Sequence, residues 1–348
     1  MPTETNLPLS GIRVVDLGWL TAGAATGTLL CDLGANVIKV EGPSALDPFR
    51  RWEGADLSTD WWNQSLFYNF TNRGKCSLCL DLKDPRGREI LLRVLENSDI
   101  LIENFRRGVM ASFGLDPPML RAKFARLIIA SISSQGETGP DRNMVSYGST
   151  LEATGGLAAL TGTGRDPVVS GRDINYPDQV VCLFAANTIL AALVERDRTG
   201  HGAYLDLSQR ELTSFLLGEE LIAAAAGSPS PRRGNHDPDV PTERVECVDG
   251  EWRVAGPDGT VPVRHIADVI AAPEFSRSTA LLCGVDGKPT KGFPFRLGGC
   301  AMSVRDTSHG LGADNRAVLL EAGYKTAEIA DFEAAGIIAT APSTPRLA

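Results

Sequence analysis

From Arg13 to Ser133 the chain alternates short β-branched or leucine-rich runs with polar turns and stretches of helical spacing. The runs are RVVDLG, NVIKVE, SLCLDL, ILIENF and LIIASIS. The segment PRGREILLRVLEN sets Ile90, Leu91, Val94 and Leu95 three and four apart, one apolar stripe that lies against a sheet. Strands alternating with helices in this way predict an α/β fold, a doubly wound Rossmann-like parallel sheet covered on both faces. Ligands of such sheets bind beyond the carboxyl ends of the strands.

Composition narrows the function classes. A formal net charge of -9 over 348 residues, with no basic run, argues against nucleic acid as a partner. The N-terminus MPTETNLPLS lacks a charged-then-apolar leader, and no stretch reads as about 18 uncharged apolar residues. Neither secretion nor a membrane partner is expected, and the expected location is cytoplasmic. Seven cysteines without a regular framework fit a reducing compartment. Cys76 and Cys79 form a Cys-x-x-Cys, but on a strand residues three apart face opposite sides, so they read as buried structural thiols. No metal site is expected, because His201, His236, His265 and His309 have no Cys, Ser or ligand partner at a diagnostic spacing. Residues 149–162 and 179–197 read as helices, and YLDLS as a further strand. The proline- and glycine-rich GSPSPRRGNHDPDVP marks a linker, followed by a small hairpin region with turns at Asp249-Gly250 and Asp258-Gly259. The final APSTPRLA reads as a frayed tail.

The stretch GPDRNMVSYGSTLEATGGLAALTG, Gly139 to Gly162, resembles the active-site segment of the family III coenzyme A transferases, the formyl-CoA and carnitine CoA-transferase group. GIRVVDLG, AGAATGTLLCDLGANVIKVEGP, NRGKCSLCLDLKDPRGREILLRVLENSDILIENFRRGV and NYPDQVVCLFAANTILAALVERDRTGHGAYLDLSQRE resemble the same family, in register. The resemblance implies an interlocked ring dimer with a large Rossmann-like domain (1–226), a linker (227–241), a small α+β domain (242–293) and a return to the large domain with a tail (294–348). Relatives carry a helical insertion in the small domain that is trimmed here.

In the family an Asp after the aromatic of the active-site segment attacks the acyl-CoA thioester. Gly148 stands at that position, and glycine has no nucleophile. Two carboxylates are the fallbacks. Glu152 lies one helical turn on, either as a substitute nucleophile or as a helix-start carboxylate favoured by the macrodipole. Asp178 precedes the apolar helix, either as an N-terminal residue or cap, or as the acid that the racemase branch pairs with a His. That His would fall at Tyr147, which argues against a racemase. For coenzyme A the resemblance implies contacts from Ala22, Gly23, Lys75, Asn104, Phe105 and Arg106, with Ser112 standing where relatives commonly carry Arg. Solvated surface charge is the alternative for Lys75, Arg106 and Arg107.

These features imply a non-catalytic subunit of a heteromeric CoA transferase, partnered by a catalytic paralogue. Its substrates would be a coenzyme A thioester and a carboxylic acid, with no covalently bound cofactor. The segments LDPFRRWEG and WWNQSLFYNFTNRGK suggest the succinyl-CoA:benzylsuccinate type of anaerobic aromatic degradation. The rivals are an independent homodimeric transferase or isomerase using Glu152, and a non-enzymatic binding protein that retains the fold.

Overall fold

A computed structural model describes residues 7–52, 60–162, 175–232, 246–248, 251–256, 259–276, 281–284, 287, 289–293, 295–298, 300 and 303–343. Six strands form one sheet: β1 (Arg13–Asp16), β2 (Asn36–Glu41), β3 (Cys76–Cys79), β4 (Ile100–Glu103), β5 (Ile128–Ser133) and β6 (Tyr204–Ser208). All pairings are parallel, in the order β3-β2-β1-β4-β5-β6. The register sets Val14 opposite both Val37 and Ile100, and Ile100 opposite Ile128.

Side chains alternate across this sheet with a period of two, which divides the core. Val15, Ile38, Leu78, Leu101 and Ile129 face one side, while Val14, Val37, Ile100, Ile102 and Ile128 face the other. The helices up to the sheet's last strand are α1 (Ala22–Asp32), α2 (Leu66–Thr71), α3 (Pro85–Leu95), α4 (Val109–Ser112), α5 (Pro117–Lys123), α6 (Gly148–Thr154), α7 (Leu157–Leu160) and α8 (Tyr176–Thr199). After β6 come α9 (Gln209–Phe215) and α10 (Glu219–Ala225). The stripe Ile90, Leu91, Val94 and Leu95 of α3 covers the first face. Leu30 of α1 and Val181, Ala185 and Ile189 of α8 cover the second. Local chemistry sets the helix starts: Asp84 and Asp116 accept the N–H groups of Arg86 and Met119, each followed by proline at the first helical position.

Several expectations need correction. The predicted helix over 149–162 is two helices, because Gly155 sits against Thr213, where a Cβ would come within 2.7 Å, and Gly156 turns left-handed at φ +95°. Among the described residues α8 is long and apolar enough to cross a membrane by length and composition, contrary to the sequence expectation. It packs along α1 as a core helix, with Val181 and Ile189 fully buried. The tail read as frayed begins tied down, since the N–H of Ser343 donates to Pro43 O at 2.9 Å.

Beyond residue 245 the chain forms a three-stranded antiparallel sheet of β7 (Glu246–Val248), β8 (Glu251–Gly256) and β9 (Gly259–Pro262). Helices α11 (Ile266–Ala271) and α12 (Pro273–Ser276) and the hairpin of β10 (Leu281–Cys283) and β11 (Pro289–Lys291) follow. Asp249, Gly250, Asp258 and most of the expected linker lie outside the described residues. Helices α13 (Asn315–Glu321) and α14 (Thr326–Ala334) bring Val318, Leu319 and Ile329 into the core beside α3, and Ile338 after them bridges to Leu80.

Candidate functional site

The strand order reverses between β1 and β4, and at such a switch point the connecting loops part to leave a crevice. A cavity of about 620 Å³ fills it, lined on one side by Trp19, Leu20, Ala22, Asn104 and Phe105 and on the other by Ser133–Gln135, Met144–Tyr147 and Asp178.

The loop from β1 to α1 is fixed from both flanks. Asn104 Oδ1 accepts the N–H of Trp19 at 2.7 Å, and its Nδ2 donates to Trp19 O at 3.0 Å. On the other flank the Leu20 N–H donates to both carboxylate oxygens of Asp47 at 3.2 Å, and Asp47 is paired with Lys39 at 3.0 Å. Leu20 is thereby held at φ +56°, a left-handed conformation costly for a branched residue. A Cβ on Gly23 would lie 2.5 Å from the Gly18 Cα and 2.8 Å from Asn104 Oδ1, so only glycine lets the loop close. The candidate residues Ala22, Gly23, Asn104 and Phe105 thus meet at the crevice, where Gly23 acts by what it lacks and Phe105 packs edge-on to Trp19 at 5.6 Å.

The candidate cations separate. Lys75 is buried at 1% exposure and bonds Asp16 at 2.7 Å, Ala24 O at 2.7 Å and Asn72 Oδ1 at 3.0 Å. It is no surface charge, does not line the cavity, and is spent on holding α1 to β1. Arg106 lines the cavity and is exposed, with no ion pair or side-chain hydrogen bond among the described residues. Arg107 pairs with Glu137 at 3.2 Å. Arg142, which the sequence reading passed over although it sits in the active-site segment, also reaches the cavity, anchored on Gly139 O at 3.2 Å. Ser112 bonds only its own helix, through Val109 O at 2.7 Å, and brings no charge to the site. Among the described residues lining the cavity, Lys83, Arg106 and Arg142 are therefore the cations without an ion pair, available to an anionic ligand.

On the opposite wall Gly148 opens α6, and Gly148, Leu151 and Glu152 form its buried face. A Cβ at Gly148 would lie 2.6 Å from Asn175 Oδ1 and 2.8 Å from the Asn175 Cβ. Asn175 itself adopts φ +44°. Gly148 carries no side chain, and Asn175 occupies the space that one would take. No motif in the sequence marks Asn175 for this role.

Asp178 lies in the first turn of α8 and lines the cavity. It is not a cap: Asn175 holds the N-cap position, and the Asp178 carboxylate accepts no hydrogen bond among the described residues. Burial, with the charge of Glu152 adding to it, pushes its pKa up to about 6. Glu152 is 4% exposed and does not line the cavity. Of the two fallback carboxylates, Asp178 is the one placed to meet a ligand. Gln135, also on this wall, donates from Nε2 to Ser146 at 2.7 Å and leaves Oε1 buried without a partner.

The segments that suggested an aromatic substrate reach the cavity through Pro48 and are centred on a buried ion pair with Glu41, which also lines it. Arg50, fully buried, bonds both oxygens of Glu41, and its guanidinium lies 3.6 Å from the centre of the Tyr68 ring, whose hydroxyl donates to Glu41 at 2.7 Å. Burial pushes the Glu41 pKa up, but Arg50 and Lys39 outweigh it and hold the carboxyl at about 2. Trp52 packs edge-on to the buried Phe49 and to Phe67, and Trp52 and Phe67 are exposed.

Among the described residues Cys31, Cys76, Cys79, Cys182 and Cys300 are free. Cys79 is buried as expected, but Cys76 is half-buried and stands beside His309 and Asp314. His201 and His265 lie exposed on the surface, and His236 falls outside the described residues.

The sequence profile of CoA-transferase family III matches residues 9–283. The succinate–glutarate CoA-transferase of Agrobacterium fabrum is 36% identical over 258 residues, covering 72% of this chain and 64% of that protein. The chain therefore spans less than two thirds of that relative's length. The alpha subunit of succinyl-CoA–L-malate CoA-transferase from Chloroflexus aurantiacus is 33% identical over 282 residues, 78% of this chain and 64% of the subunit. The beta subunit is 31% identical over 281 residues, 80% and 68% of the two chains. The crystal structure of a CaiB/BaiF family protein from Brucella suis superposes with a TM-score of 0.83 at 26% identity, covering 91% of this chain and 100% of that one.

Proposed function

The chain belongs to CoA-transferase family III, and from that premise we propose that it is a supporting, non-catalytic subunit of a hetero-oligomer that moves coenzyme A between carboxylic acids. The observation that carries the proposal is the packing of Asn175 into the place where a side chain at Gly148 would stand. Transfer of a thioester between two free carboxylates in water competes with hydrolysis and disorder, so a protein carboxylate that is acylated in turn divides it into two positioned steps. Here Gly148 at the start of α6 offers none and Glu152 does not line the cavity, so a partner chain with an Asp at the Gly148 position supplies it.

Two observations support a partner. Both the alpha and the beta subunit of a relative align along most of this chain. Helix α10 buries none of its residues and exposes Leu221 and Ile222, and α8 exposes Leu183 and Val194. For the ligand, Lys83, Arg106 and Arg142 are the candidate phosphate contacts, and the Trp19–Phe105 wall is the apolar surface for the thioester arm. We assign succinyl-CoA as donor by analogy with the relatives' names, and a substituted succinate as acceptor, with an aromatic one such as benzylsuccinate fitting that wall. Carriage of these soluble ligands places the complex in the cytoplasm.

The test is native mass measurement of the chain alone and co-expressed with a paralogue bearing the Asp, each followed by a CoA-transfer assay. A mixed oligomer active only with the paralogue is expected. An active homodimer overturns the reading. In that case the second reading applies, in which Asp178 takes the acyl group, favoured by its cavity position and unpartnered carboxylate. Hydroxylamine trapping located by peptide mass separates Asp178 from Glu152.

A further inference from the structure

We propose that Cys76, His309 and Asp314 bind a divalent transition-metal ion of the zinc class where the C-terminal segment closes on the edge strand β3. One ligand atom from each residue lies within 4.8 Å of the others, and all three residues are half-buried. Cys76 starts β3, whereas the cavity lies beyond the opposite, carboxyl ends of the strands, so this site is independent of the proposed CoA transfer.

The donors sit on a braced frame. The Ser77 N–H donates to Asp314 Oδ2 at 2.7 Å, the Gly312 N–H to Ser77 Oγ at 3.0 Å, and the Cys79 N–H to Asn315 Oδ1 at 2.8 Å. The loop is thus pinned to β3 before an ion arrives, and little ordering is left for binding to supply. His309 stands between two carboxylates, with Nδ1 2.6 Å from Asp314 Oδ2 and Nε2 3.1 Å from Asp306 Oδ2. With Nδ1 on the metal, Nε2–H still donates to Asp306, a second carboxylate that fixes the ring and its tautomer.

A thiolate, an imidazole and a carboxylate suit zinc, with bonds of about 2.3, 2.0 and 2.1 Å, and are too soft a set for magnesium or calcium. Tetrahedral coordination at those lengths spaces ligand atoms by roughly 3.3–3.8 Å. Binding therefore draws the thiol inward and opens the close His309–Asp314 contact, both by side-chain rotation. The thiol proton leaves to solvent as the sulfur–metal bond forms, and water fills the fourth position.

Cobalt(II) titrated into the chelator-stripped full-length chain tests the site. The expected result is one ion per chain with a thiolate-to-cobalt charge-transfer band. Cys76→Ser removes the band, His309→Ala abolishes stoichiometric binding, and Asp306→Ala keeps the band with about tenfold weaker affinity. No stoichiometric binding, or a band that persists in Cys76→Ser, overturns the proposal. A second measurement does not depend on the variants folding: zinc protects Cys76 of the wild-type chain, and not Cys300, from alkylation mapped by peptide mass. Equal alkylation of Cys76 with and without zinc also overturns the proposal.

Discussion

On the β1–β4 side of the cavity the loop carrying Trp19 and Leu20 is held by Asn104 on one flank and by Asp47 and Lys39 on the other. Across the cavity Asp178 is half-buried and accepts no hydrogen bond among the described residues, and Gly148 is closed off by Asn175. The first wall is organised around a fixed shape, as a ligand-holding surface must be. On the proposed function, the second keeps the backbone course of an active-site segment without its chemistry. A supporting subunit needs the first property and can lose the second, since its fold is what its partner requires.

The largest expected effect breaks the ordered side. Lys75 and Asp16 are both fully enclosed, so Lys75→Ala leaves a buried carboxylate unpaired and costs about 3–5 kcal/mol of stability. Urea unfolding measures this against Arg13→Ala, whose pair with the exposed Glu321 is worth less than about 1 kcal/mol. Equal losses in the two variants would remove the claim that this wall is locked by burial.

The next experiment turns to the closed-off side. Gly148→Asp alone forces Asn175 aside and costs about 1–3 kcal/mol. Adding Asn175→Gly removes the obstructing side chain at a position whose φ of +44° suits glycine, so the double variant recovers most of that loss. Thermal unfolding of the two variants reads the difference. A single variant as stable as the wild type would show that the position was open all along.

Much of the fold was legible in the sequence because it rests on local chemistry. Period-two and β-branched runs gave the six strands, and the spacing of Ile90, Leu91, Val94 and Leu95 gave the buried face of α3. The glycine at 148 in place of the Asp expected from the resemblance is a reading of the sequence, and the proposed function rests on it. What escaped depends on partners far along the chain. Lys75 read as a surface or phosphate-binding charge because Asp16, 59 residues away, could not be seen beside it. The same holds for His309, whose neighbour Cys76 lies far back along the chain, at the start of β3. Asn175 escaped because its left-handed turn, not its type, presses it against Gly148. The Gly155–Gly156 break was readable in principle, since paired glycines interrupt a helix.

A smaller effect tests the electrostatics of Asp178. Folding raises its pKa from 3.8 to about 6, so between those values the folded chain keeps a proton that the unfolded chain releases. Stability therefore falls as pH rises through that window, and the cost is present in full above it. Asp178→Asn removes the cost and stabilises the chain by about 1–3 kcal/mol near pH 7, with the gain fading to nothing below about pH 4. Denaturant midpoints of both proteins across the pH range measure it, and a gain independent of pH would exclude burial of the charge as its source.

The smallest effect on stability separates ligand holding from folding. Arg106 is exposed and unpaired among the described residues, so Arg106→Ala leaves the unfolding midpoint within about 0.5 kcal/mol of the wild type. If it meets a phosphate of the coenzyme, the same change weakens coenzyme A binding by about tenfold and flattens its salt dependence, because a charge-assisted contact contributes about 1.5 kcal/mol or more. Arg106→Lys keeps the charge and loses the planar fork, so it recovers the salt dependence but only part of the affinity. Calorimetric titration of coenzyme A at two salt concentrations reads all three proteins. If Arg106→Ala binds as the wild type does, Arg106 makes no phosphate contact, and Arg142 and Lys83, which also line the cavity, become the candidates.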